Sequence, residues 1–235
     1  MTTPALEAIK LTKQYPKHTA LQSLDLEIAQ GEIFCLLGPN GAGKTTTLNL
    51  FLGFARPTSG MARIYGEKVS FGKNNTYGKV SYIPEIVQLY GNLSGLENLD
   101  FFSKLGGYHY GKRELKGFLA KAGLEEAAHD RWLSTYSKGM RQKVGISIAL
   151  AKNAQVILMD EPTSGLDPKA SVEFTEICKE LSASGKTILM ATHDIFNAVS
   201  LATRIGMMKQ GRLVKLLDSK SVSAPELQKL YLEMV

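Results

Sequence analysis

An apolar run, a glycine-rich loop and a helix follow one another without a gap between Glu32 and Leu52, and this junction limits the fold more than any other part of the chain. Glu32–Leu37 is nearly all apolar, as a strand buried on both faces requires. Gly38-Pro39-Asn40-Gly41-Ala42-Gly43 follows, and its glycines allow backbone conformations closed to other residues. Lys44–Leu52 then places Leu48, Phe51 and Leu52 on one helical face, with Gly53 positioned to end it. Strand, tight loop and helix in this order predict an α/β chain built on a mostly parallel sheet.

The rest of the chain repeats that alternation around a helical middle. Leu24, Leu26 and Ile28 alternate with polar residues, which predicts a half-buried strand ended by Gln30-Gly31. Met61–Tyr65 and Lys79–Ile83 are expected as further strands, the first after the turn at Pro57–Gly60. Ser94-x-x-Glu97 is a capping box. It opens a helix through Leu99, Phe102 and Leu105, which Gly106-Gly107 breaks. Lys112–Ala122 and a segment from Ser137 to about Lys152 are two more helices. Strands at Val156–Met159 and Thr187–Thr192 then alternate with helices at Ser171–Leu181 and Ile195–Ala202. Ile205–Lys209 and Arg212–Lys215 form a hairpin. A tail helix begins at Pro225 and carries Leu227, Leu230, Tyr231 and Met234 along one stripe.

The expected organisation is therefore an α/β core in two pieces, 1–86 and 155–218, the first with an antiparallel β portion near the N-terminus. A helical subdomain, 87–154, is inserted between them, and a tail helix, 219–235, follows. With 235 residues, 44% apolar and 21% charged, the composition is globular and excludes disorder, collagen and coiled coil as whole-chain readings. No apolar stretch reaches the length of a membrane span and no secretory signal opens the chain. Cys35 and Cys178 are expected to be reduced, so a cytoplasmic setting follows. The excess of 28 basic over 22 acidic residues, +6, points to an anionic partner.

Gly38–Thr45 matches G-x-x-x-x-G-K-[ST] between a strand and a helix, the context that motif needs. Backbone amides of such a loop curl around phosphate oxygens, and the helix N-terminus adds partial positive charge. Lys44 is the candidate for the β- and γ-phosphates, Thr45 for Mg²⁺, and Thr46 continues the binding turn. Asp160 closes the strand Val156–Met159 at the sheet edge where ligands bind, and is a candidate for Mg²⁺. Glu161 follows, placed to polarise a water for in-line attack on the γ-phosphate. His193 closes the next strand, placed to contact the γ-phosphate region or to orient Glu161. The Tyr15 ring is a candidate platform for adenine, and equally an ordinary tyrosine before Pro16.

With these residues in place the chain resembles the nucleotide-binding subunit of an ATP-binding cassette (ABC) transporter over nearly all of residues 5–215. Tyr136-Ser137-Lys138-Gly139-Met140-Arg141-Gln142 resembles the family's signature segment, usually Leu-Ser-Gly-Gly-Gln. Ser137 and Gly139 match it, while Lys138 and Met140 depart from it. Ser164-Gly165-Leu166-Asp167 resembles the D-loop and Thr192-His193-Asp194 the switch histidine. After Tyr82-Ile83-Pro84, where the family usually has glutamine, this chain has Glu85.

The resemblance implies a P-loop NTPase fold, with ATP and Mg²⁺ as ligands and Glu85 as a further Mg²⁺ or water ligand. It implies a head-to-tail dimer, in which Ser137, Lys138, Gly139 and Met140 of one copy cap ATP on the other. It implies separate transmembrane permease subunits, with this chain on the cytoplasmic face of the membrane. The Y-S-K-G-M form is similar to a subgroup whose partners are mostly ABC-2-type exporters. A soluble ABC ATPase, such as the iron–sulfur cluster assembly type, is the alternative, though its signature is closer to Ser-Gly-Gly-Glu. No nucleic-acid partner is expected, because no second cassette, long coiled coil or zinc motif accompanies the basic charge.

Overall fold

The computed structural model describes residues 3–73 and 76–234. The chain begins with two long antiparallel strands, β1 (Leu6–Tyr15) and β2 (His18–Ile28), and then enters β3 (Ile33–Leu37). Helix α1 (Lys44–Phe51) is followed by β4 (Ser59–Ile64), β5 (Glu67–Lys68) and β6 (Val80–Ile83). Four helices come next: α2 (Gly95–Leu105), α3 (Lys112–Lys121), α4 (Glu126–His129) and α5 (Lys138–Ala151). The alternating part resumes with β7 (Val156–Asp160), α6 (Pro168–Ala183), β8 (Thr187–Thr192) and α7 (Ile195–Leu201). The hairpin β9 (Arg204–Lys209) and β10 (Arg212–Asp218) and the tail helix α8 (Ala224–Met234) complete it.

Two sheets result. The first has the order β2-β1-β4-β5, and its pairings are antiparallel. The second has the order β10-β9-β3-β8-β7-β6 and is parallel except for the β9–β10 hairpin. Strand β3 therefore lies between β8 and β9, with β7 next beyond β8, so the ends of β3, β7 and β8 share one edge.

Side-chain alternation along β3, β7 and β8 supplies two cores. Phe34, Leu36, Leu158 and Leu189 face α1 and the first sheet, packing with Leu48, Phe51, Leu24 and Ile64. Ile33, Cys35, Leu37, Ile157, Met159, Ile188 and Met190 face the other way, onto Phe174 and Cys178 of α6 and Ala198 of α7. Both cysteines are buried free thiols. Burial pushes the Cys35 thiol up to about 12. A third core, with Leu96, Leu99, Leu115, Leu119 and Val144, joins α2, α3 and α5. Its first helix carries the expected capping box. Ser94 Oγ accepts from Glu97 N at 3.2 Å, and Glu97 Oε2 accepts from Ser94 N at 2.7 Å.

The structure differs from the sequence reading at β1, β2 and α6. Strand β2 starts at His18 rather than near Leu24, and it pairs with β1, for which no strand was expected. The period-2 signal in β1 is broken by an irregularity around Lys10, which has φ 44°, so the buried residues run Ala8 then Leu11. Helix α6 starts at Pro168 rather than Ser171, because Asp167 caps it and proline suits its first position. The tail helix lies on the second core, with Leu227 fully buried and Leu230, Tyr231 and Met234 packed beside it.

Candidate active site

The loop at 38–43 is shaped by close backbone contacts. A Cβ on Gly38 would stand 2.4 Å from Met208 O, and one on Gly43, at φ 103°, 2.5 Å from Ala20 O. Only glycine is tolerated at either place. Gly211 N donates to Ala42 O at 3.0 Å, so the turn of the β9–β10 hairpin supports the loop. Gly43 caps α1 without a side chain, which leaves the helix's first amides free for a ligand.

Lys44 is buried at the start of α1. Its Nζ donates to Gly38 O at 2.6 Å and Pro39 O at 3.2 Å, and lies 3.7 Å from Glu161 Oε1. Burial lowers its pKa, and the charges of Glu161 and Asp160 oppose that shift. Thr45 Oγ1 donates to Asp160 Oδ1 at 3.2 Å. Burial raises the Asp160 pKa, against the hydrogen bond from Thr45. Glu161 takes a left-handed backbone, φ 45°, and its N donates to Ala191 O. This unusual conformation at a catalytic candidate turns the side chain toward β8. There Oε2 accepts from Thr192 Oγ1 and His193 N, and His193 Nδ1 lies 2.9 Å away.

A cavity of about 250 Å³ lies over the loop. Residues 40–46 form one wall and Glu85, Asp160 and Glu161 another, with His18 and Ala20 contributed by β2. Thus Asn40, Gly41, Ala42, Gly43, Lys44, Thr45 and Thr46 are brought together with Glu85, Asp160 and Glu161. His193 reaches the cavity through Glu161. Tyr15 does not line it. Its ring stacks on His18 at 5.3 Å between centroids, with Lys13 Nζ 4.7 Å from the Tyr15 centroid. His18, which lines the cavity, went unnoticed in the sequence. Its signal is the turn that makes it the cross-strand partner of Tyr15.

The signature segment opens α5. Ser137 is the N-cap, its Oγ accepting from Met140 N at 3.3 Å, and Gly139 lies tight against Ala170. Ser137, Gly139 and Met140 line a different cavity, beside Asp167 and Lys169. Lys138 instead points to Glu85, Nζ to Oε1 3.9 Å, and Ser164 Oγ donates to the same oxygen at 3.0 Å. Gly165 turns the following loop at φ 66°, Leu166 packs on the second core, and Asp167 caps α6. Buried Gln142 was also missed. Its Nε2 donates to Glu85 O at 3.2 Å and Pro84 O at 3.4 Å, and no local pattern marks it for that role.

Residues 21–164, which carry the loop, Glu85, the signature segment and Asp160-Glu161, match the family model described as ABC transporter. The chain belongs to the ABC transporter family. It is 36% identical over 219 residues to the bacitracin transport ATP-binding protein BcrA of Enterococcus faecalis, covering 89% of this chain and 68% of that one. It is 36% identical over 215 residues to the Nod factor export ATP-binding protein I of Paraburkholderia xenovorans, covering 91% of this chain and 71% of that one. Its structure is similar to an ATP-binding cassette solved as a dimer in a post-hydrolysis state with ADP and Pi. The TM-score is 0.80 at 28% identity, over 91% of this chain and 98% of that chain. The chain is accordingly an ATP-binding and ATP-hydrolysing subunit that powers an ABC transporter, and the fold is that of a P-loop NTPase.

Proposed function

We propose that the cavity over the loop holds the triphosphate of ATP and that two copies of the chain close on it head to tail, driving an ABC-2-type exporter. The convergence of Lys44, Asp160 and Glu161 from two elements onto one cavity carries this reading. The amides of Gly41, Gly43 and the first turn of α1 cradle phosphate oxygens, and Lys44 exchanges its carbonyl partners for them. Glu161 accepts the proton of the attacking water, held in orientation by Thr192 and His193. Tyr15 and His18 form a stacked pair at the edge of β1 and β2 for the base.

The residues suit Mg²⁺, because the Thr45 hydroxyl and the Asp160 carboxylate already touch at the cavity wall. Thr45, Asp160 and, directly or through water, Glu85 would hold it. Once bound, it would neutralise charge on the β- and γ-phosphates. Ser137, Lys138, Gly139 and Met140 cap the partner copy's nucleotide. A second helix N-terminus then faces the γ-phosphate, and Ser164–Asp167 lies at the same junction.

The core of 1–86 and 155–218, the helical part 87–154 and the tail 219–235 divide the labour. The core binds ATP and the helical part carries the signature. Between α1 and α2 runs an apolar groove of about 290 Å³ with exposed Phe54, Tyr77 and Leu105 on its walls. This groove is our candidate face for the separate permease, and a position on the cytoplasmic face of the membrane is part of the same reading. No helix among the described residues is long and apolar enough to cross one. The names of the relatives support transport and export over a soluble ATPase, and no nucleic-acid partner is required. The test is size-exclusion chromatography of E161Q with ATP and Mg²⁺. A stable dimer that collapses to monomer with ADP is expected, and a chain that stays monomeric with ATP contradicts the reading.

A further inference from the structure

Two positions that depart from the family's usual pattern, Glu85 and Lys138, lie together in this chain. Glu85 Oε1 is 3.9 Å from Lys138 Nζ and accepts from Ser164 Oγ at 3.0 Å. The same helix grips the same loop a second time, through Gln142 Nε2 on the backbone oxygens of Pro84 and Glu85. Lys138 and Gln142 are four residues apart and share a face of α5.

Both charges are costly alone. Glu85 shares the cavity wall with Asp160 and Glu161, and among the lining residues Lys44 is the one lysine. Without a cation beside it, a third carboxylate there repels an incoming triphosphate. Lys138 occupies the first position of α5, where a cation opposes the helix dipole, and the first turn holds no acidic residue to balance it. Placed together, each charge offsets the other.

We infer that Lys138 is a positioning residue that acts through Glu85 of its own chain, screening that carboxylate from the phosphates and tying the Glu85 loop to the start of α5. The inference rests on the proposal that the cavity takes the triphosphate. It differs from the capping role across the dimer, since it operates within one copy.

A double-mutant cycle tests it. Wild type, K138M, E85Q and K138M/E85Q are titrated with a fluorescent ATP analogue, with Mg²⁺ and with EDTA. The protein is dilute enough that light scattering shows monomers. K138M is expected to weaken binding roughly two- to fivefold, the range open to an exposed pair. In the E85Q background that loss should vanish, and K138R should restore wild-type binding. Equal losses in both backgrounds, or a loss that emerges only in dimers, would overturn the inference. The same four proteins are melted without nucleotide, where the pair predicts non-additive midpoints and additive midpoints count against it. If the wild type fails to bind the analogue, the triphosphate reading falls, while the melting cycle still decides the pair.

Discussion

Nδ1 of His193 stands 2.9 Å from Oε2 of Glu161. The other oxygen of that carboxylate lies 3.7 Å from Lys44 Nζ, so one side chain links the end of β8 to the start of α1. Glu161→Gln keeps the shape and removes the proposed base. Turnover should fall about 10²–10⁴-fold with ATP affinity little changed. Phosphate release and analogue binding measure the two, and unchanged turnover would remove Glu161 from its role. His193→Ala should likewise lower turnover more than affinity.

Lys44 is held by two carbonyls and one carboxylate, and it is the lysine on the cavity wall. Charge-assisted hydrogen bonds to phosphate are worth about 1.5–3 kcal/mol each. Lys44→Ala should therefore weaken ATP binding about 10- to 100-fold, by equilibrium titration. Tight binding in that variant contradicts the loop assignment.

Lys152 lies at the wall of the apolar groove, its Nζ donating to Val80 O at 2.8 Å and 3.7 Å from the centre of the Tyr77 ring. Burial lowers its pKa from the ordinary 10.5 to about 8. Between those values the unfolded chain binds more protons than the folded one, so this residue makes stability rise with pH from about 8 toward 10.5. Below about 8 its charged form is a constant cost. Lys152→Met should flatten the slope of the unfolding midpoint over that window, and an unchanged slope argues that the ammonium is solvated.

Leu227 is fully buried on the second core, whereas its helix otherwise shows an exposed face with Leu232. Removing a buried leucine side chain costs about 2–5 kcal/mol. Leu227→Ala should release residues 224–234 to fast amide exchange and leave the β-sheet amides protected. Retained protection in the tail would show that the stripe contributes little.

The sequence read most clearly where one short stretch carried both geometry and chemistry. Gly38–Thr45 reports its own turn, its own helix start and its phosphate chemistry, and the structure matches it in shape. The positions of Asp160 and His193 were legible for a related reason, as Asp160 ends the apolar strand β7 and His193 follows β8, whose Ile188–Ala191 are apolar. Strand β1 was not legible, because the irregularity at Lys10 shifts the buried face and destroys the alternation. His18 and Gln142 escaped because their importance lies in partners far along the chain, at the loop and at Pro84-Glu85. The Glu85–Ser164 and Glu85–Lys138 contacts are non-local in the same way, and no spacing rule anticipates them.

The loop at 38–43 has its amino acids early in the chain and its supports late. Strand β3 is flanked by β8 and β9, and Gly211 holds Ala42 from the hairpin beyond. A ribosome that has released the first 150 residues has delivered the whole loop, yet none of these three supports. During synthesis, at about 5–20 residues per second, the nascent chain thus carries an unfinished loop for several seconds. Competence to bind nucleotide is therefore expected only as the final strands emerge, so a chain ending before Gly211 should show no ATP binding by equilibrium titration, and tight binding by such a chain would show that the loop forms without these supports.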